Sequence, residues 1–410
     1  MLYPKKDSPT LGILGLYPDV LEAIVAKAGD KAKIRETCRS LREIVQKAAR
    51  RMTLKHGIPQ IPRRLMSKCP ALVNINLMGS QVTDLRPLRA APAIQQLDFS
   101  ETPVADLTPL TSLTGLLSVN FSHTRVTDLR PLSRLRRLES VAFRGSGAVD
   151  LAALEALTAL QCLDFCGSFG VTDLGPLSSL TALQHLDCSF CSISDLEPLT
   201  SCLGIVTLKC GNDSPASSDF GIVDLGPLSG LSKLCTLDFS GNRVTDIAPL
   251  AGLTNLRRID CCGNPGLSDL APLSRMLGLE ELACAGCQGV VDLWPLRPLV
   301  SLRDLDISYA DVEDLSPLSA LTQLQMLDCS GNLGVADLAP LSTLVALRTF
   351  SCHDTHASDL SPLAGLTDLR CLDCSHTEVT DLTPITVLTD LQSLDYCCTS
   401  VSGNFFAAPV

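Results

Sequence analysis

A five-residue phrase, Asp-Leu-x-Pro-Leu, recurs along the chain and limits what the chain can fold into. It returns every 22 or 23 residues, apart from one interval of 29 residues. A fixed period in the low twenties is the signature of a solenoid built from stacked repeats. The aspartates of the phrase are Asp84, Asp106, Asp128, Asp150, Asp173, Asp195, Asp224, Asp246, Asp269, Asp292, Asp314, Asp337, Asp359 and Asp381.

Each repeat has a front half and a back half with different periodicities. The front half reads L-x-x-L-x-(F/C), and this alternation predicts a short strand with one buried face. In the back half the aspartate can cap a turn, and the proline falls in the first turn, where its missing N–H does no harm. We therefore predict an α/β solenoid of about fifteen repeats over residues 72–400, with short 3₁₀ or α turns on its convex side.

The repeat resembles that of leucine-rich repeat proteins, most closely the short internalin-type repeat with its Asp-(Leu/Ile)-x-Pro-Leu back half. This resemblance implies a right-handed horseshoe with a parallel sheet on its concave side. It also implies that the concave side binds a protein partner. It does not identify that partner.

The segment before the repeats has a different pattern. LYPDVLEAIV from Leu16 and KIRETCRSLREIV from Lys33 each place apolar residues at helical spacing, and together they resemble an F-box. The resemblance implies a helical unit over residues 11–57 that docks, through residues 11–56, onto the small adaptor of a cullin-type ubiquitin ligase. The contact residues would be Pro18, Val20, Leu21, Ile24, Ile34, Cys38 and Leu41.

An alternative is that these helices only cap the first repeat, since the open end of a solenoid must be covered. Around them we expect a disordered start over residues 1–10, a connector and repeat cap over residues 58–71, and a tail over residues 401–410. The leading functional hypothesis is a substrate-recognition subunit of a ubiquitin ligase. The alternative is a scaffold or adaptor protein unrelated to ligases.

The balance of charged residues changes close to the boundary between this N-terminal segment and the repeats. Through Lys68 there are 15 Lys and Arg residues against 6 Asp and Glu, whereas the remainder has 18 against 38. Binding of nucleic acid by the acidic repeats is therefore not expected. The chain contains no apolar run long enough to span a membrane, and its start lacks a secretory signal. Nineteen cysteines without such a signal predict a cytoplasmic, or alternatively nuclear, location.

Repeat register also assigns the cysteines. Seven of them fall at the inward sixth position of a repeat, where other repeats have phenylalanine, so we expect these thiols to be buried. The pairs Cys188/Cys191 and Cys284/Cys287 look like metal ligands, but four repeats separate them, and a zinc site would need both pairs together. We expect no metal and no cofactor. No catalytic motif is present, so an enzyme is not expected.

The fifth position of the repeat should face solvent on the strands, and it is often aspartate. Either each aspartate orders its loop by bonding the serine two residues on, or the row forms an acidic groove for a basic partner. Residues that depart from the repeat, and an insertion over residues 211–221, are further binding candidates. Trp294, on the convex side, is expected to pack between adjacent turns. The candidate partner-binding residues are Asp164, His185, Asp187, Phe190, Lys209, Phe220, Asp238, Arg258, Asp260, Glu281, Asp306, Tyr309 and Asp328.

Overall fold

The computed structural model describes residues 50–54, 59–62, 66–212 and 221–401. The chain forms two compact units, Met1–His185 and Leu186–Val410. Several predictions fall outside the described residues. These are the disordered start, the F-box-like helices with all seven candidate docking residues, most of the 211–221 insertion with Phe220, and the tail beyond residue 401.

In the first unit, each repeat contributes a three-residue strand that pairs in parallel with the next strand in sequence. The turns that follow the strands are 3₁₀ helices over Arg86–Ala90, Thr108–Ser112, Arg130–Arg134, Ala152–Leu154 and Gly175–Ser179. The strands are β1 (Arg51–Thr53), β2 (Asn74–Asn76), β3 (Gln96–Asp98), β4 (Ser118–Asn120), β5 (Ser140–Ala142) and β6 (Cys162–Asp164).

Strand β1 corrects one prediction, because it lies at the end of the segment that the sequence assigned to a helical unit. Met52 and Leu54 are buried while Arg51 and Thr53 are exposed, which is the period-two alternation of a half-buried strand. Arg51 pairs with Asn74 of β2, so β1 covers the strand of the first repeat.

The second unit repeats the same architecture, and its strands from β8 onward also pair in parallel and in order. Strand β7 (His185–Asp187) begins at the last residue of the first unit. The other strands are β8 (Thr207–Lys209), β9 (Thr236–Asp238), β10 (Arg258–Asp260), β11 (Glu281–Ala283), β12 (Asp304–Asp306), β13 (Met326–Asp328), β14 (Thr349–Ser351), β15 (Cys371–Asp373) and β16 (Ser393–Asp395). The 3₁₀ turns are Glu197–Leu199, Gly226–Leu228, Ala248–Leu250, Ala271–Arg275, Trp294–Leu296, Ser316–Ala320, Ala339–Thr343, Ser361–Gly365 and Thr383–Val387.

The recurrent aspartate caps each 3₁₀ turn, as predicted. Its Oδ1 accepts a hydrogen bond from the backbone N–H two residues later, at 2.8 Å both for Asp84 with Arg86 and for Asp381 with Thr383. The Ser361 hydroxyl also donates to Asp359 and lowers the pKa of that carboxyl. The phrase is therefore architectural, because its aspartate begins the 3₁₀ turn that follows each strand and its loop.

The inward sixth position distinguishes the two cores. In the first unit Phe99, Phe121, Phe143 and Phe165 stack with ring centroids 5.8, 5.5 and 5.5 Å apart. In the second unit Phe239 and Ile307 interrupt a row of buried cysteines, and thiols of this row donate to a carbonyl of the next strand, as Cys210 does to Asp238 at 3.2 Å. The buried cysteines at this position are Cys188, Cys210, Cys261, Cys284, Cys329, Cys352 and Cys374, which confirms the prediction that they belong to the core.

Three buried asparagines tie neighbouring repeats of the second unit together. The Asn332 amide nitrogen donates to the carbonyls of Cys329 and Ile307, both at 2.8 Å, and its Oδ1 accepts from the Val312 N–H at 3.0 Å. Asn242 and Asn264 make the same kinds of bond. Since Ile307 and Val312 belong to the preceding repeat, each amide fixes the stacking of two repeats.

Candidate binding surface on the strands

The outer surface of the strands is formed by the first and third residues of each strand, which flank a buried central residue. We call this surface the sheet face. In the first unit its third positions are Asn76, Asp98, Asn120, Ala142 and Asp164. In the second unit the sheet face carries mostly carboxylates, with Lys209 and Arg258 as its basic residues; the acidic side chains are Asp187, Asp238, Asp260, Glu281, Asp304, Asp306, Asp328, Asp373 and Asp395.

One oxygen of each strand-end aspartate orders the following loop. Oδ1 of Asp306 accepts from the backbone N–H of Ser308 at 2.9 Å and from its hydroxyl at 2.7 Å. Asp238 bonds Ser240 in the same way, and Asp328 accepts from the backbone N–H of Ser330 at 3.0 Å. The loop-ordering interpretation of the aspartate row is therefore confirmed.

The second oxygen of these aspartates has no such use. Among the described residues, Oδ2 of Asp238, Asp306 and Asp328 accepts no hydrogen bond. Ion pairing on this face of the second unit includes Arg258 with Glu281, whose Nε and Oε1 lie 2.8 Å apart. The carboxylates thus keep acceptor capacity for a group from outside the chain.

Two carboxylates of the sheet face, Asp304 and Asp238, have raised pKa values, chiefly because they are partly buried. Burial raises the pKa of Asp304, and the charges of Glu281 and Asp306 raise it further. Burial also raises the pKa of Asp238, against the hydrogen bonds from Ser240, while nearby Asp260 adds to the increase and Lys209 opposes it. Negative charge at the centre of this face is therefore incompletely balanced by the chain itself.

Tyr309 stands at the edge of the same face. It has a positive φ of 52°, in a loop position that is glycine in the flanking repeats at Gly286 and Gly331. Its ring lies against Gly331, where a Cβ would overlap it, and its centroid is 5.9 Å from that of His353 in an edge-on arrangement. With 52% of its surface exposed, Tyr309 presents an aromatic ring in the loop that follows the strand-end carboxylate of Asp306.

Phe190 occupies the equivalent loop position of an earlier repeat, with a φ of 55°. Its backbone N–H donates to the Gly211 carbonyl at 2.7 Å, so Phe190 adjoins the start of the insertion. Lys209, two residues before Gly211, is exposed on β8. These residues form a second cluster of candidates, apart from Tyr309 along the chain.

Two of the candidates, Asp164 and His185, belong to the first unit. There the Arg144 Nε lies 2.6 Å from the Asp164 Oδ2, so a cation of the chain already neutralises that carboxylate. Sequence reasoning also missed Asp304, although it included other first-position residues such as Arg258 and Glu281. The same period of two places the first strand position on the sheet face as well.

Known proteins share this architecture. A family model described as leucine rich repeats, in two copies, matches residues 232–275. The chain superposes on an internalin, InlF of Listeria monocytogenes, with a TM-score of 0.65 and 21% identity, covering 92% of this chain and 95% of that one. A leucine-rich repeat protein of Leptospira interrogans gives a TM-score of 0.67 at 18% identity, with 88% and 93% of the two chains covered.

The chain is a leucine-rich repeat protein. Its fold is internalin-like, as the sequence predicted. The functional domain of InlJ from Listeria monocytogenes, which includes a cysteine ladder, superposes with a TM-score of 0.54 at 22% identity, covering 75% of this chain and 64% of that domain. No curated protein sequence matches the chain.

Trp294 of this leucine-rich repeat protein is not packed between turns, as the sequence predicted, but 52% exposed. The equivalent residues in the flanking repeats are Ala271 and Ser316, which are too small to enclose an indole ring. Instead the Arg297 guanidinium lies 5.2 Å from the centre of the ring. The prediction was wrong because it did not take the small size of these neighbours into account.

Two further features of the described part of the chain concern ligands and membranes. Within residues 50–54, 59–62, 66–212 and 221–401, no three His, Cys, Asp or Glu side chains are grouped so as to hold a metal ion. Nor does this part contain a helix with the length and apolar character needed to cross a bilayer. The fold is typical of non-enzymatic binding scaffolds.

Proposed function

We propose that this leucine-rich repeat protein is a protein-interaction module, and that the sheet face of its second unit binds a basic surface or segment of a protein partner. The observation that carries the proposal is the set of carboxylates whose Oδ1 orders a loop while Oδ2 is left without a hydrogen bond. Asp238, Asp306 and Asp328 are the best-defined members.

The geometry suits arginine or lysine side chains. Neighbouring parallel strands lie about 4.8 Å apart, so carboxylates on adjacent strands, such as Asp306 and Asp328, can share one guanidinium. Tyr309 adds an exposed aromatic ring in the loop after Asp306, and a cation over such a ring is attracted to its face. Carboxylates therefore supply the charge, while the ring gives a preferred position to one cationic side chain.

A fluorescein-labelled deca-lysine peptide tests the proposal through its anisotropy on titration with the full-length protein. We expect binding that weakens as salt is raised, and a loss of about tenfold or more when Asp238, Asp306 and Asp328 are changed together to Asn. Asparagine keeps the loop bonds, since Asn120 already accepts from the Ser122 N–H at 3.0 Å and from its hydroxyl at 2.8 Å. Asp98→Asn, on the first unit, is the matched control. Equal binding by the triple variant and the native protein would contradict the proposal.

A second candidate function rests on the F-box-like sequence before residue 50. In that case residues 11–56 dock onto the small adaptor of a cullin-type ubiquitin ligase, and the repeats present a substrate protein. Co-purification with the adaptor tests it, and the double change Leu21→Asp with Ile24→Asp should abolish the association. If the adaptor does not co-purify with the native chain, the chain is a scaffold without a ligase role.

Deletion of residues 1–49 distinguishes the hypothesis that this segment docks onto an adaptor from the hypothesis that it caps the repeats. This deletion retains β1, whose pairing with β2 would be lost in a deletion through residue 56. A docking segment can be removed with little change in the unfolding midpoint of the repeats. Removal of a cap exposes apolar surface, so aggregation or a large fall in that midpoint is the result expected of the scaffold alternative.

We also propose a cytoplasmic or nuclear location. It is supported by the cysteines of the described residues, all of which are free thiols, including exposed Cys397 and Cys398. Imaging of a fluorescent fusion checks this proposal, and a fusion found only in a secretory compartment contradicts it.

A further inference from the structure

Three exposed arginines lie close together in sequence on the first unit, between a 3₁₀ turn and the strand that follows it. Arg134 ends the 3₁₀ turn Arg130–Arg134, and Arg136 and Arg137 follow it in the link to β5. All three side chains are exposed. We call Arg134, Arg136 and Arg137 the arginine patch.

The chain makes no polar use of this patch. None of the three side chains forms a hydrogen bond or ion pair with any described residue, although Glu139 and Glu155 are exposed in the same part of the unit. Some other arginines of this protein do bond to the chain. Arg130 pairs with Asp128 at 2.8 Å. In the second unit the Arg257 Nη1 donates to the Leu256 carbonyl at 3.1 Å.

The fold does not require arginine here. In the preceding repeat the positions of Arg136 and Arg137 are Thr114 and Gly115, and in the next they are Thr158 and Ala159. These residues are small and uncharged, so a neighbouring repeat leaves the guanidinium groups uncovered. A Cβ built at Gly115 would meet, within 4 Å, only the carbonyl oxygens of Pro92 and Ile94.

We propose that the arginine patch binds an acidic segment of a partner polypeptide. Guanidinium groups present a planar set of donors that matches a carboxylate in bidentate geometry, so three of them suit a short run of Asp or Glu. This surface is opposite in sign to the sheet face of the second unit, and the proposal stands independently of the basic partner proposed for that face.

The extent of the patch favours a polypeptide over a nucleic acid. Its charge is confined to a single repeat, with uncharged residues at the equivalent positions on both sides. A nucleic acid carries a phosphate at every nucleotide and is normally met by a longer basic stripe.

A labelled deca-glutamate peptide tests the proposal by anisotropy at low ionic strength with the full-length protein. The double variant Arg136→Thr with Arg137→Ala reproduces the residues of the next repeat, so it removes two charges without placing a foreign residue in the turn. We expect about a tenfold loss of affinity in this variant. Arg89→Ala is the matched control, because Arg89 is exposed at the end of the turn Arg86–Ala90 but lies outside the patch.

Three results would overturn the proposal. They are the absence of deca-glutamate binding to the native chain, equal affinities of the double variant and the native chain, and an equal loss in Arg89→Ala. A fourth arm uses single-stranded deca-thymidylate. Tighter binding of this oligonucleotide than of deca-glutamate, lost in the same double variant, would show that the patch recognises nucleic acid instead of polypeptide. An unchanged thermal unfolding midpoint in each variant confirms that the fold is retained.

Discussion

The two units share one repeat but differ both inside and outside. The first unit has a column of stacked phenylalanines under a largely uncharged sheet face, whereas the second has buried thiols under an acidic one. Leucines and the capping aspartate are common to both. The comparison shows that these shared residues define the register, while the sixth position and the outward strand positions vary without changing the architecture.

The difference should appear first in stability. Phe143 lies between Phe121 and Phe165, so Phe143→Ala removes two stacked contacts and leaves a cavity, at a cost of about 3–5 kcal/mol. Cys284→Ala removes only a sulfur atom and one weak hydrogen bond, so about 1 kcal/mol is expected. Urea unfolding followed by circular dichroism measures both changes. Equal losses would mean that the aromatic column does not distinguish the first unit.

The buried position of the loop after each strand, which is Asn332 in the second unit, gives a second contrast between the units. Asn332 bonds two repeats through its amide, so Asn332→Ala leaves buried backbone groups without partners and should cost about 2–3 kcal/mol. At the equivalent position of the first unit, Thr124 donates a single bond, of 2.7 Å, to the Phe121 carbonyl, and about 1 kcal/mol is expected for Thr124→Ala. The same unfolding measurement tests this ranking, which a larger loss in Thr124→Ala would reverse.

Alkaline pH should destabilise the second unit more than the first. Burial raises the pKa of Cys374 from an ordinary 9.0 to about 12, and it raises the pKa of Cys329 further. The folded state therefore holds these protons more tightly than the unfolded state. The resulting stability is complete below pH 9 and is lost as the pH rises toward 12.

Trp294, the only tryptophan, lies in the second unit and makes its unfolding visible by fluorescence. We expect the free energy of unfolding measured in urea to fall by about 1 kcal/mol or more between pH 8 and pH 10.5. Cys374→Ala with Cys329→Ala should flatten this pH dependence. A midpoint that stays constant with pH in the native protein would mean that the thiols are not protected.

The smallest effect concerns the crowded carboxylates. Since burial, Glu281 and Asp306 together raise the pKa of Asp304, its ionised form destabilises the folded state near neutral pH. Asp304→Asn should therefore raise the stability slightly at pH 7, and the gain should vanish once the native carboxyl is protonated in acid. Asp373→Asn is the control, and a loss of stability in Asp304→Asn at pH 7 would show that its charge is compensated.

Much of this structure was readable from the sequence because repetition averages out local ambiguity. One Asp-Leu-x-Pro-Leu would be a weak signal, but its recurrence assigned strands, caps and core cysteines together. It could not assign Trp294, whose exposure depends on the size of Ala271 and Ser316 in adjacent repeats. Nor did it reveal β1, which lies outside the repeat period and is recognised by its pairing with β2.

The candidate site was less readable for a different reason. Strand periodicity indicated that Asp306 and Asp328 face outward, but only the coordinates show that one oxygen is used and the other is not. Tyr309 stood out as a departure from the repeat, yet its place against Gly331 and His353 depends on side-chain rotation that no pattern records. The arginine patch lies outside the strands, and the repeat pattern does not indicate whether an exposed arginine finds a partner within the chain.

The loop position of Tyr309 has a consequence for how such a chain can diversify. Its left-handed backbone suits glycine, yet Glu101, His123, Phe190, Asp354 and His376 also occupy it. A side chain there costs about 1–2 kcal/mol of backbone strain. Replacement by glycine thus deletes the displayed group and relaxes the chain in the same step. This loop position can therefore gain a recognition side chain at a small cost in stability and lose it at no cost. Binding specificity can change by substitution here while the repeat architecture is kept.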